Sequence, residues 1–125
     1  MFMSEIPMAK QSPRIKDGTV AWYAGDAFII DWEVHLTEGE TPIIFEEGDQ
    51  LIWSFFSVED KVNPVHTFVF DYPDIHDYTV ELFFTKEISA KFAVGNYTYC
   101  VKFLSHDGRV VTLNANNKIK VEACH

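Results

Sequence analysis

The ten residues from Ala27 to Leu36 constrain the fold most strongly, because hydrophobic and polar side chains alternate along them. The apolar set, at every second position, is Phe28, Ile30, Trp32, Val34 and Leu36, and the intervening set includes Asp31, Glu33 and His35. A period of two is that of a β-strand with one buried face, whereas a helix would spread these aromatic rings around its whole circumference. The segment therefore predicts a half-buried strand.

Short apolar or alternating segments continue along the chain, separated by turn residues. We expect strands at residues 19–23, 27–36, 43–45, 50–58, 65–70, 78–84, 96–104, 109–115 and 118–121, with a single helical turn within residues 86–94. A chain of 125 residues is long enough for one domain with a core and too short for two. Eight or nine short strands without a long helix predict an all-β sandwich or a small barrel.

The segment Gly95-Asn96-Tyr97-Thr98-Tyr99 favours the sandwich. A tyrosine just after a glycine, at the start of a late strand, is typical of a tyrosine corner, whose hydroxyl bonds back to the preceding backbone. Tyr99 would then occupy the core position that a disulfide cysteine holds in antibody domains. The alternative is two ordinary half-buried strand tyrosines. We expect an immunoglobulin-like antiparallel β-sandwich of about eight or nine strands.

Residues 1–17 are expected to form an N-terminal leader, flexible or docked on a partner, ahead of a single sandwich domain at residues 18–125. The leader contains Pro7, Pro13 and three basic residues, and its apolar residues show no regular period. It lacks the basic start and apolar run of a secretory signal, so we expect no export by a signal peptide.

The formal net charge of -9 argues against nucleic acid as a partner, because an acidic surface repels phosphate. No segment approaches the roughly 18–20 apolar residues of a membrane span. Every charged residue from Asp26 to Asp60 is acidic. This acidic segment is either a face kept soluble by like charge, or a surface that docks on a basic partner or binds bridging calcium within an assembly.

Motifs for catalysis and metal binding are absent from the sequence, and we expect no enzyme activity, no cofactor and no metal site. The five histidines lie far apart and form no metal-binding motif. The best local cluster of possible ligands, Asp74-Ile75-His76-Asp77, is typical of a solvated turn. Cys100 and Cys124 are too few for a disulfide scaffold and are expected to be reduced thiols.

Aromatic residues make up 15% of the chain, more than a core of this size is expected to need. The segment 50–58 is apolar on both faces, which indicates a central strand or an interface strand. Aromatic side chains are enriched at protein interfaces and can also stack on sugars. The candidate residues for contact with a protein partner or a glycan are Trp22, Tyr23, Phe56, Tyr72 and Phe83.

The order of several short motifs over residues 19–122 carries a family resemblance. These motifs are Gly25-Asp26, Gly48-Asp49 before Gln50-Leu51-Ile52-Trp53, Lys86-Glu87-Ile88-Ser89-Ala90-Lys91-Phe92, Gly95-Asn96-Tyr97-Thr98-Tyr99-Cys100-Val101, Asp107-Gly108, Val111-Thr112-Leu113 and Ile119-Lys120-Val121. In this order the chain resembles small β-sandwich proteins encoded in the tail or baseplate regions of tailed phages and prophages of Gram-positive bacteria.

The resemblance implies a non-catalytic structural adaptor that binds other tail or baseplate proteins, or itself as a homo-oligomer. It also implies a location in the virion tail, or in the cytoplasm of the bacterial host during assembly. It supplies no catalytic residues. The main alternative is a carbohydrate-binding β-sandwich that would use Trp22, Tyr23 or Tyr72 as its stacking surface. A lipid-carrying barrel and an enzyme with scattered active-site residues are further alternatives.

Overall fold

A computed structural model describes residues 12–16, 18–34, 37–38, 41–75, 78–113 and 118–123. The strands in chain order are β1 (Arg14–Lys16), β2 (Thr19–Tyr23), β3 (Phe28–Glu33), β4 (Thr37–Glu38), β5 (Thr41–Pro42), β6 (Gln50–Ser57), β7 (His66–Asp71), β8 (Thr79–Phe84), β9 (Gly95–Leu104), β10 (Val110–Leu113) and β11 (Lys118–Glu122). A 3-10 turn covers Tyr72–Asp74, and one helical turn, α1, covers Lys86–Ser89.

The strands form a β-sandwich, as the alternating pattern predicts. The large sheet has the order β1-β2-β11-β9-β6-β7, and β10 also pairs with β9. The small sheet pairs β3 with β8, while β4 and β5 form a separate hairpin. Buried side chains from both sheets, such as Ile30 and Leu82 of the small sheet and Leu51 and Phe103 of the large sheet, belong to one core cluster. The two sheets therefore share one hydrophobic core, as a sandwich requires.

The alternation predicted for residues 27–36 is confirmed over β3. Phe28 and Ile30 are buried and Trp32 is half-buried, whereas Ile29, Asp31 and Glu33 are exposed. Val34 is also buried, and residues 35 and 36 lie outside the described residues. The single helical turn expected within residues 86–94 is confirmed as α1, whose amide at Ile88 is capped by the Thr85 hydroxyl.

The tyrosine corner is also present. The Tyr97 hydroxyl donates a hydrogen bond to the backbone carbonyl of Ala93 at 2.6 Å, which fixes the start of β9 to the segment before it. The ring of Tyr99 lies 5.0 Å from that of Trp32 on β3 and 5.2 Å from that of Trp53 on β6. Burial raises the pKa of Tyr99 to about 12. Aromatic packing thus links the two sheets in this part of the core.

The structure corrects three sequence-based expectations about the strands. The sheet is mixed rather than purely antiparallel, because β2 runs parallel to β11. Residues 43–45 are not in a strand, although Ile43 and Phe45 are buried, and the pairing before β6 is instead between β4 and β5. Eleven strands occur in the described residues rather than eight or nine, because short edge segments without a clear alternation also pair.

The predicted leader contains a strand of the sandwich. Residues 14–16 form β1, which pairs antiparallel with β2. The Ser12 hydroxyl accepts a hydrogen bond from the Tyr23 amide at 2.8 Å and donates one to the Asp26 carboxylate at 2.7 Å. The sandwich domain therefore includes residues 12–16, and it begins before the boundary expected at residue 18. Residues 1–11 and Asp17 lie outside the described residues.

Candidate functional site

The outer face of the large sheet, which points away from the core, carries an apolar stripe. Along β6 the residues Leu51, Trp53 and Phe55 are buried, so Ile52 and Phe56 face outward and are only half-buried. Ser54 lies between them on the same face and shares a hydrogen bond with Thr67 of β7. Val69 on β7 is the cross-strand neighbour of Ile52 and is 54% exposed. β6 is central, between β7 and β9, and its outward apolar side chains have no covering layer among the described residues.

Basic side chains border this stripe on the same face. Lys102 on β9 is the cross-strand neighbour of Ile52. Lys118 and Lys120 on β11 alternate with the buried residues Ile119 and Val121, and all three lysines are exposed. The outer face of the large sheet thus combines apolar and basic character, although the whole chain has a net charge of -9.

The outer face of the small sheet has the opposite charge. Ile29 and Phe83 are cross-strand neighbours and are 45% and 50% exposed. In the next outward-facing pair Asp31 lies opposite Glu81, and Glu33 follows at the end of β3. Neither β3 nor β8 contains a lysine or an arginine. This face is therefore apolar at one end and acidic at the other.

The sequence-predicted contact residues are divided among several surfaces. Phe56 lies on the outer face of the large sheet and Phe83 on the outer face of the small sheet. Tyr23 lies at the end of β2, where the Arg14 guanidinium is 5.0 Å from the centre of its ring. Tyr72 is 39% exposed in the 3-10 turn after β7, at the opposite end of the large sheet.

The expectation that Trp22 contacts a partner or a glycan is wrong, because its side chain has no exposed surface. Its ring packs against Phe28, Phe84 and Phe92, with centroid distances of 5.1, 4.9 and 5.6 Å. Every residue from 20 to 23 is apolar or aromatic, so the alternation alone could not assign Trp22 to the core. Trp22, Tyr23 and Tyr72 consequently do not form a common stacking platform.

One cluster that the sequence analysis missed joins two loops at one end of the sandwich. Asp49, only 2% exposed, accepts hydrogen bonds from the backbone amide of His106 at 2.8 Å and from its Nδ1 at 2.9 Å. The other carboxylate oxygen of Asp49 accepts a hydrogen bond from the Glu46 amide at 2.8 Å, and Glu46 Oε2 lies 3.6 Å from His106 Nε2. We name Glu46, Asp49 and His106 the loop latch.

The loop latch shifts the pKa values of its two central groups in opposite directions. The hydrogen bond that His106 donates to the Asp49 carboxylate, supported by the nearby charges of Glu46 and Asp107, raises the pKa of His106 above its usual value. Burial opposes the ionisation of Asp49, but the hydrogen bonds from Glu46 and His106 outweigh it, so the pKa of Asp49 is lowered. The pair is therefore held as carboxylate and imidazolium in mildly acidic solution.

An aspartate bound to histidine Nδ1 also occurs in hydrolase triads, where the histidine activates a nucleophile. Here the neighbouring hydroxyl, Ser105 Oγ, donates to the Asp107 carboxylate and accepts a hydrogen bond from the Arg109 amide at 3.0 Å. These bonds hold the turn between β9 and β10. In this arrangement the loop latch ties that turn to the loop before β6. The two turns are recognisable in the sequence, but their contact across 57 residues is not.

The acidic segment 26–60 does not form one surface. Asp26 accepts a hydrogen bond from the Ser12 hydroxyl near β1, and Asp49 is buried in the loop latch. Asp60 accepts hydrogen bonds from two backbone amides of its own loop. Asp31 and Glu33 lie on the outer face of the small sheet. Several of these carboxylates thus stabilise local structure, and the small sheet carries the exposed acidic face.

Within the described ranges, no group of three histidine, cysteine or acidic side chains could hold a metal ion. Asp74 is exposed, and residues 76 and 77 of the predicted ligand cluster lie outside those ranges. Cys100 is a free, half-buried thiol on β9, and Cys124 also lies outside the described residues. None of the helices in the part of the chain that the structure describes is long and apolar enough to cross a membrane.

Comparison of the chain with protein-family models, with curated proteins and with solved structures found no match.

Proposed function

We propose that this protein is a non-catalytic assembly component of a bacteriophage tail or baseplate that acts through protein–protein contact. The observation that carries the proposal is the apolar stripe of Ile52, Phe56 and Val69 on the outer face of the large sheet. An antiparallel sheet with one solvated face usually alternates apolar and polar side chains. A group of exposed apolar side chains on a central strand and its neighbour therefore marks a surface that another protein covers.

The assignment to a phage tail comes from the order of the sequence motifs over residues 19–122, which is why the partners are expected to be other tail or baseplate proteins. The surface is suited to such contacts because apolar side chains lie at its centre and lysines at its border. Protein interfaces commonly have an apolar core and a polar rim. The sandwich supplies a rigid frame that keeps this surface in a fixed shape.

Co-expression with the products of neighbouring genes tests the proposal. We expect a complex of defined stoichiometry by size-exclusion chromatography with light scattering, and loss of that complex in the double variant I52T/V69T. Threonine keeps the β-branched shape that favours strands while it removes apolar surface. A matched control is Val62→Thr, in a loop and 84% exposed, which should bind as the wild type does.

Failure to form any complex with these proteins, or equal binding by I52T/V69T and the wild type, would contradict the proposal. A glycan array separates it from the carbohydrate-binding alternative. We expect no glycan to bind, and specific binding that is lost in Tyr72→Ala would favour the alternative, because Tyr72 is the most exposed of the candidate stacking residues.

A further inference from the structure

The two outer faces of the sandwich are complementary in charge. On the outer face of the large sheet the charged side chains of the described residues are basic at Arg14, Lys102, Lys118 and Lys120 and acidic at Asp71 and Glu122. Glu122 forms an ion pair with Arg14. Among the described residues of β3 and β8, the charges on the outer face of the small sheet are all acidic, at Asp31, Glu33 and Glu81. One face thus attracts the other electrostatically.

The like charges of Asp31 and Glu81 favour the binding of a basic surface to the small sheet. The two residues are direct cross-strand neighbours, and both are exposed. Like charges directly opposite each other on adjacent strands destabilise a sheet. A lysine-bearing surface placed over this pair would relieve the repulsion. The neighbouring Ile29–Phe83 pair would at the same time be removed from water, which is favourable in proportion to its area.

We propose that the outer face of the small sheet of one copy docks on the outer face of the large sheet of a second copy. In this contact Asp31 and Glu81 face Lys102 and Lys118, and Phe83 lies on the apolar stripe of Ile52 and Phe56. The inference rests on the proposed function, because it assigns an occupant to the same apolar stripe. It goes further by naming that occupant as another copy of the chain.

Because the two faces lie on opposite sides of the sandwich, the contact is head-to-tail. A bound pair still has one unused face of each kind, so further association generates a ring where the rotation closes and a filament where it does not. The strands of the small sheet have six residues, or about 20 Å at 3.3 Å per residue. A contact of this size is at the low end of protein interfaces, so we expect weak, salt-sensitive association.

Two charge-reversed variants test the proposal by sedimentation velocity. D31K/E81K makes both outer faces basic, and K102E/K118E makes both acidic. At about 1 mM protein and about 20 mM salt, where screening is weak, we expect the wild type to exceed the monomer mass and each variant to be monomeric. An equimolar mixture of the two variants should recover the association, because every basic face then meets an acidic one.

Matched controls keep the net-charge changes and leave both outer faces intact. E47K/E59K makes the same change in charge as D31K/E81K, and K61E/K86E makes the same change as K102E/K118E; all four control positions are exposed. Both controls should associate as the wild type does. A circular dichroism melt of each variant confirms that it is folded.

A monomeric wild type at about 1 mM protein overturns the inference, since even contacts at the weak end of the range are populated there. The inference is also overturned if the charge-reversed variants associate as strongly as their controls, or if the mixture of the two variants stays monomeric. These outcomes are separate from those of the proposed function. A monomeric chain that still binds tail proteins through the stripe contradicts the inference alone, and a self-associating chain without such partners contradicts the proposed function alone.

Discussion

Asp49 and His106 are 57 residues apart in the chain and are joined by two hydrogen bonds to one carboxylate oxygen. The Glu46 amide donates a third hydrogen bond to Asp49, which is only 2% exposed. Asp49→Ala should therefore lower the free energy of unfolding by about 2–4 kcal/mol, because three part-buried hydrogen bonds to a charged acceptor are lost. Urea unfolding measures this change. As a control, Glu47→Ala replaces an exposed residue of the same loop and should change the free energy of unfolding by no more than about 0.5 kcal/mol. Equal losses in the two variants would contradict the structural role of Asp49.

The loop latch also predicts how stability depends on pH. The pKa of His106 lies above its usual value of 6.5, so its contribution is complete below about pH 6.5 and is lost as the pH rises through the higher folded-state value. The pKa of Asp49 lies below 3.8, so its contribution is complete above that pH and is lost as the pH falls through the lower folded-state value. The latch should stabilise the fold most between about pH 4 and 6.5.

Proton NMR titration of the histidine rings measures this directly. His106 should titrate above 6.5 in the wild type and at a lower pH in Asp49→Asn, which lacks the carboxylate charge. His66 is an internal control, because burial and the neighbouring Lys91 lower its pKa. Its titration should be the same in both proteins. An unchanged His106 titration in Asp49→Asn would show that the contact with Asp49 is absent in solution.

Gly48 connects backbone conformation to the same latch. It has a φ of +93°, and a Cβ placed there would lie 2.8 Å from the Cβ of His106. Gly25 has a similar φ of +86° with no atom within 4 Å of the equivalent position. Gly25→Ala should cost about 1–2 kcal/mol, the usual cost of a left-handed conformation with a Cβ.

Gly48→Ala should lose more stability than Gly25→Ala, by at least about 1 kcal/mol, because the new methyl group displaces His106. It should also lower the His106 pKa, which Gly25→Ala should leave unchanged. Thermal unfolding and the histidine titration provide the two measurements. Equal destabilisation by the two substitutions would mean that only the backbone conformation matters at Gly48.

Much of the fold could be predicted because alternation is a local property. Phe28, Ile30 and Trp32 share one side of β3 in any fold where that strand has one buried face. β1 could not be predicted, since its short segment has no alternation and becomes a strand only by pairing with β2. The parallel pairing of β2 with β11 depends on residues about a hundred positions apart, and no local pattern encodes such a pairing.

The candidate site was predicted less completely, for physical reasons visible in particular residues. Phe56 and Phe83 could be identified as surplus aromatics because the alternation along their strands places their neighbours Phe55 and Phe84 on the core side. Trp22 has apolar neighbours on both sides, so its burial depends on tertiary packing. The basic character of the large sheet comes from strands β9 and β11 together, and the sequence does not show that Lys102 and Lys118 share a face.

The adjacent residues Phe83 and Phe84 provide the clearest contrast between surface and core. Phe84 has no exposed surface, and its ring contacts those of Trp22, Phe28, Phe55, Phe68 and Phe92. Phe84→Ala should cost about 3–5 kcal/mol through lost burial and a residual cavity. Phe83 is 50% exposed and pairs with Ile29 across the strands, so Phe83→Ala should cost only about 1 kcal/mol.

The same pair separates folding from association. Because Phe83 lies on the outer face of the small sheet, Phe83→Ala should weaken self-association in sedimentation experiments while its unfolding curve stays close to that of the wild type. Phe84→Ala should shift the unfolding curve strongly, and at temperatures where it remains folded it should associate as the wild type does. A large stability loss in Phe83→Ala would place its ring in the core of the folded chain and would remove it from the docking surface.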